Sequence, residues 1–181
     1  MTTPPPVRVS LDDGSELRTL VPEDAVSVAA AVGANLDHLR PWMPWANERS
    51  ADPAFQRARI NGLASLASTG TEWQYGLFGD GAFLGSFGLM TRRGPGTLEI
   101  GYWLCADATG TGRATRATSA LAGVGESMTG IEELWIVCDE ANARSAAVAR
   151  RCGFELCRTY ADEPQAPGEN GTKLVFVRNV R

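Results

Sequence analysis

A chain of 181 residues with 44% hydrophobic content is sized for one domain with a substantial core. Its net charge of −4 excludes broad electrostatic attraction to nucleic acid or to an anionic membrane surface. Only Lys173 among the 17 basic residues is a lysine; the rest are arginine, a bias that carries no functional reading.

From the N-terminus, "MTTPPPVRVS" has no apolar core of the kind a signal peptide needs, and no later run approaches the ~20 apolar residues of a membrane span. Residues 1–15 read as an irregular or strand-like extension of a single domain covering 1–181. "ELRTL" reads as a short strand. "VPEDAVSVAAAVGAN" follows as a helix, with Pro22 at its start and Gly33 near its end. In "NLDHLRPWMPWA", Pro41 and Pro44 break any helix and leave Trp42 and Trp45 on a loop. A second helix, "SADPAFQRARINGLASLAS", takes Ser50 or Asp52 as its cap.

The texture then changes. "EWQYGLFG", "AFLGSFGLMTR" and "LEIGYWLC" are aromatic and β-branched runs separated by "DG" and "GPG", the pattern of an antiparallel meander. A glycine turn, "ATGTGRAT", leads into a helix from about Gly112 to Ser127. "EELWIVCDE" is a strand, "NARSAAVARRCG" a helix closed by Gly153, and "FELCRTY" and "KLVFVRNV" are two further strands around the loop "DEPQAPGENGT". The order implies an α/β protein with a mixed sheet. The cysteines Cys105, Cys138, Cys152 and Cys157 contain no C-x-x-C pair, and the single histidine, His38, is distant from them in sequence. No metal site and no disulfide framework is expected, and reduced thiols suit a cytoplasmic protein.

The glycine turn carries the chemistry. It lacks the third glycine of a dinucleotide fingerprint, because that position is Thr115, and it lacks the lysine of a P-loop. Glycines before a helix still let consecutive N–H groups point one way, toward the helix's positive end, which suits a diphosphate. A purely structural turn is the competing reading of this motif alone.

Three segments together carry a resemblance, and it is the resemblance that implies an anion site at the turn. They are Glu99-Ile100-Gly101-Tyr102-Trp103, Gly110-Thr111-Gly112-Arg113-Ala114-Thr115, and Asn142-Ala143-Arg144-Ser145 through Gly153-Phe154. In this order the chain resembles the GNAT superfamily of acyl-CoA-dependent N-acetyltransferases, RimJ/RimL-like branch, over roughly Leu17 to Val177. The resemblance implies a GNAT fold, a mixed and mostly antiparallel central sheet flanked by helices. It implies acetyl-CoA as the acyl donor, bound by Trp103, Leu104, Cys105, Gly110, Thr111, Gly112, Arg113, Ala114, Thr115, Asn142 and Ser145. Thr109 and Arg116 depart from the branch pattern, and Arg113, Arg116, Arg150 or Arg151 would supply the missing charge.

The acceptor implied is an amine, at a protein N-terminus or on a small molecule, and homodimerisation is implied by resemblance alone. Attack on a thioester needs a neutral amine and a proton donor for the thiolate. Glu99 is the first candidate base, the competing reading being a solvent-facing strand residue; Asp162 and Glu163 are rivals. Ser145 is the candidate donor, since the tyrosine many relatives carry seven residues after the asparagine is Ala149 here. His38, Trp42, Trp45 and Tyr102 are the expected acceptor-side wall, and Cys105 a small buried hydrophobe. The acidic balance leans toward a cationic acceptor. A CoA-binding module without turnover, another acyl-CoA donor, and a plain scaffold that binds no CoA remain the alternatives.

Overall fold

The computed structural model describes residues 4–180. The strands are β1 (Arg8–Ser10), β2 (Glu16–Thr19), β3 (Glu72–Gly79), β4 (Ala82–Met90), β5 (Thr97–Leu104), β6 (Glu133–Asp139), β7 (Glu155–Ala161) and β8 (Thr172–Asn179). The helices are α1 (Ala25–Ala34), α2 (Leu36–Leu39), α3 (Pro53–Ser68), α4 (Arg113–Glu126) and α5 (Ala143–Arg151). The eight strands form one sheet in the order β1-β2-β3-β4-β5-β6-β8-β7. Neighbours pair antiparallel except β5 with β6, which run parallel. The sheet is mixed, as the residue pattern implies, and mostly antiparallel with flanking helices, as the resemblance implies.

Local chemistry accounts for the elements. Asp52 accepts from the N–H groups of Ala54 and Phe55 (2.6 and 3.4 Å) and so caps α3, with Pro53 in the first helical position where its missing N–H costs nothing. Ser50 belongs instead to a preceding turn whose cap is Asn47. The N-terminal extension is strand-like over Arg8–Ser10, held by the β1/β2 hairpin. The segment before Pro41 departs from the expected loop: Leu36–Leu39 closes one helical turn before the prolines intervene.

The two faces of the sheet bury different clusters. Leu98, Ile100, Leu134, Ile136 and Phe176 pack with Leu121 and Ala149 of α4 and α5. On the other face Phe78 and Phe83 pack with Val28, Val32 and Ile60 of α1 and α3. Arg18 is locked to Asp24 by two 2.8 Å hydrogen bonds at the entrance to α1. All four cysteines are free thiols. Among the described residues no helix is long and apolar enough to cross a membrane, and no cluster of His, Cys, Asp and Glu is arranged to hold a metal.

Candidate active site

The parallel ladder between β5 and β6 is short. Only Thr97–Glu99 pair with Glu133–Trp135, and beyond them the strands part. From Ile100 onward one edge of β5 faces no strand, and a cleft of about 1470 Å³ opens there. Its volume exceeds the few hundred to thousand Å³ of an ordinary ligand pocket. The cleft passes between the two layers of helices. Thr109, Gly110, Gly112–Thr115 and Asn142–Ser145 line one end, and His38, Trp42 and Trp45 the other; Thr111, expected with them, does not line the cleft.

At the first end the glycine turn has the geometry an anion needs. Gly110 and Gly112 have φ of 78° and 81°, which an L side chain adopts only at a cost. Gly112 is the N-cap of α4 and offers no side-chain acceptor, so the opening N–H groups of the helix are left to a ligand or to water. Arg113 and Arg151 line the cleft here. Arg116 does not contribute: it donates to the Thr111 carbonyl (2.9 Å) and pairs with Asp12 and Asp13 at 3.3 and 3.7 Å. Arg150 lies over the Phe176 ring, 5.2 Å from its centroid. Thr109 turns its hydroxyl back to the Ala106 carbonyl (2.7 Å).

Where the strands part, three polar side chains meet. Asn142 caps α5 by accepting from the Ser145 N–H (3.1 Å), which fixes Ser145 in the first turn. The Ser145 hydroxyl lies 3.0 Å from the Tyr102 hydroxyl, and Tyr102 also reaches the Ser145 carbonyl at 3.3 Å. Burial pushes the Tyr102 phenol up, so it is a neutral donor at physiological pH. Cys138 lines the cleft beside them, its thiol also pushed up by burial and only partly offset by the Ser145 hydrogen bond.

The second end belongs to the opposite face of the sheet. Glu99 is 3% exposed and points into the fold rather than to solvent. Both its oxygens are engaged, Oε1 by Arg92 Nη2 and Oε2 by Arg93 Nε. Trp103 shares this face, its ring 5.8 Å from Trp45 and 5.7 Å from Phe83. Trp103 therefore stands on the side of the proline loop, whereas Tyr102 stands on the side of α4 and α5. Cys105 is buried, and desolvation raises its thiol to about 11, in line with a small apolar filler. Asp162 and Glu163 are exposed and line no part of the cleft.

Three features of the site were not foreseen from the sequence, although Glu99, Tyr102 and Ser145 themselves were singled out. The Arg92–Glu99–Arg93 cluster is the first; its signal was the "TRRGPG" turn, since the Met90↔Glu99 pairing folds both arginines back onto Glu99. The Tyr102–Ser145 contact and the presence of Cys138 beside it are the others, and neither leaves a mark in linear spacing.

The glycine-turn cradle, the parted parallel strands and the ordered EIGYW, GTG and NxxS segments define an acyltransferase architecture. The profile of the acetyltransferase (GNAT) domain matches residues 16–155, and the chain belongs to that family. No curated protein sequence matches it. Among solved structures it is similar to Mycobacterium smegmatis RimJ in complex with CoA-disulfide, at 22% identity and TM-score 0.82, covering 99% of this chain and 87% of that one. It is also similar to the Salmonella typhimurium acetyltransferase that modifies the N-terminal serine of a 50S ribosomal subunit protein, at 20% identity and TM-score 0.81, covering 96% and 99%. The microcin C7 self-immunity acetyltransferase MccE, solved with acetyl-CoA and AMP, is similar at 20% identity and TM-score 0.83, covering 92% of each chain.

Proposed function

We propose that the protein is an acetyl-CoA-dependent N-acetyltransferase that moves an acetyl group to a primary amine, at a protein N-terminus or on a small molecule. The observation that carries this reading is the position of the cleft. It joins the uncapped N-terminus of α4 to a neutral hydroxyl pair at the parting of β5 and β6, and it continues through the sheet to Glu99. The similar RimJ structure, in complex with CoA-disulfide, supports this donor.

The residues present fit that donor. The N–H groups opening α4 and the Arg113 and Arg151 guanidiniums would hold its diphosphate, and the unpaired edge of β5 would hold its amide arm as a short extra strand. When bound, the thioester supplies an activated acetyl group. Ser145 donates a hydrogen bond from its hydroxyl to the departing sulfur, stabilising the thiolate, and Tyr102, which stays neutral, orients that hydroxyl through their mutual hydrogen bond. Glu99 receives the proton of the attacking amine, directly or through one water. To do so it must release one guanidinium. Arg92, with a side chain 58% exposed, can swing into solvent and free Oε1 while Arg93 keeps hold of Oε2.

One observation favours a second reading, a CoA-binding module without turnover: both Glu99 oxygens are occupied as they stand. Thiol release from acetyl-CoA in the presence of amine-bearing peptides separates the two. Acetyl transfer with a loss of roughly 10²-fold in kcat for Ser145→Ala is expected. Stoichiometric acetyl-CoA binding with no release above background for any amine would establish the second reading instead.

A further inference from the structure

Beside the Glu99 end of the cleft lies a second basin of about 480 Å³, lined by Arg92, Arg93, Trp135, Arg158, Tyr160 and Val175. It holds three guanidiniums and no carboxylate in its lining. Glu99 answers the charge of Arg92 and Arg93 only once between them. Arg158 makes no ion pair among the described residues; it rests over the Trp135 ring, 5.1 Å from the centroid. Three cations on an aromatic floor, answered by the Glu99 carboxylate and by Glu133, which accepts from the Trp135 indole N–H (2.7 Å), still leave a lining of net positive charge in a chain whose net charge is −4.

The two cavities share Arg92. The register explains why. Glu99 pairs with Trp135 and Trp135 with Val177, so the floor of the basin continues the same sheet face across β6 and β8 toward Arg158 on β7. An amine seated at Glu99 would therefore have its neighbouring groups over the basin.

We propose that the acceptor is the N-terminus of an acidic peptide segment, with its first carboxylate side chains bound by Arg92 and Arg158 over Trp135. This rests on reading the cleft as an acetyl-transfer site. Guanidinium forks bind carboxylates bidentately, and an aromatic floor orients them. The extent of the basin beyond the Glu99 end suits an extended chain, which a free amino acid would not fill. The local sign opposes the leaning that overall charge gives, toward a cationic acceptor. A carboxylate drawing Arg92 into the basin would also release Glu99 Oε1, so acceptor binding and the freeing of the base become one event.

The test uses two peptides with free N-termini, one carrying aspartate and glutamate at its second and third positions and the other their amides. Each is labelled at the C-terminus for fluorescence anisotropy and is also assayed for acetylation. The expected result is tighter binding and higher kcat/KM for the acidic peptide by about tenfold or more at low salt, narrowing as salt screens the contact. Arg158→Ala should collapse the preference and Arg158→Lys should keep part of it; Arg158 is exposed on an edge strand, so neither change threatens folding. Equal handling of the two peptides, a preference that survives Arg158→Ala, or a free acidic amino acid serving as well as the peptide would overturn the proposal while leaving N-acetyl transfer intact. Preferential binding of the acidic peptide without acetylation of either would sustain the basin and overturn the reaction.

Discussion

Replacing Gly112 with alanine tests the anion cradle and its geometry together. Gly112 has φ of 81° and ψ of −1°, a left-handed conformation that costs an L residue about 1–2 kcal/mol. Its new Cβ would lie 3.0 Å from Arg116 Nη1, the movable end of a side chain, so Arg116 shifts rather than the backbone. That shift weakens the hydrogen bond from Arg116 to the Thr111 carbonyl, a loss of about 0.5–1.5 kcal/mol, while the exposed Asp12 and Asp13 pairs add little. The sum is about 1.5–3.5 kcal/mol. For a domain of this size that lowers Tm by roughly 3–14 °C. Gly112→Asn should recover part of the loss, because asparagine tolerates the left-handed region. A calorimetric titration with acetyl-CoA, run beside thermal melts, gives the functional half: alanine re-aims the N–H groups opening α4, and affinity should fall at least tenfold. Unchanged Tm and unchanged affinity would refute the conformational argument and the cradle alike; a lowered Tm with full affinity would refute the cradle alone.

Thr118 in α4 is fully buried, and its hydroxyl is the one buried side-chain polar atom without a partner among the described residues. Thr118→Val keeps the shape and removes the orphan, so urea denaturation should show a gain of about 1 kcal/mol. Tyr102→Phe leaves the ring stacked on Phe87 but removes the hydroxyl beside Ser145, and kcat should fall about tenfold with the KM for acetyl-CoA nearly unmoved. Acid stability should follow two carboxylates. Hydrogen bonds from Arg18 hold Asp24 below the usual range; for Asp139, burial pushes upward but the N–H groups of Asn170, Ala141 and Gly171, with Lys173, outweigh it. Carboxylates lowered in this way stabilise the fold above their unfolded values and lose that contribution as pH falls through the folded ones. Unfolding free energy should therefore drop below about pH 4, and Asp24→Asn should flatten the decline.

The elements with local signals were legible in the sequence. "DG" and "GPG" marked the turns of the β3–β4–β5 meander, Asp52-Pro53 opened α3, and Gly153, with φ of 77°, closed α5. Tertiary pairing was not. The parting of β5 from β6 depends on two strands separated by a whole helix, and no residue announces where the ladder stops. The inward face of Glu99 could not be chosen from alternation, because β5 is buried on both sides along Thr97–Ile100. Arg116 was a reasonable source of phosphate charge one turn into α4, yet Asp12 and Asp13 of the first hairpin claim it from more than a hundred residues away in sequence. Ser145 and Tyr102 were each visible as candidates. Their contact, across a sequence separation of 43, required the parallel junction to exist.

The brevity of that junction has a mechanical meaning. Three residue pairs join the β1–β5 half of the sheet to the β6–β8 half, with α4 bridging over the top. A donor lying along the free edge of β5 would finish a seam that the polypeptide leaves open. The empty protein is then a pair of leaves sharing a narrow spine, and backbone amides at the seam should exchange with solvent well before those in the β3/β4 ladder. Occupancy would tighten both leaves at once, raising stability by mass action and setting the acceptor face only when the donor face is filled.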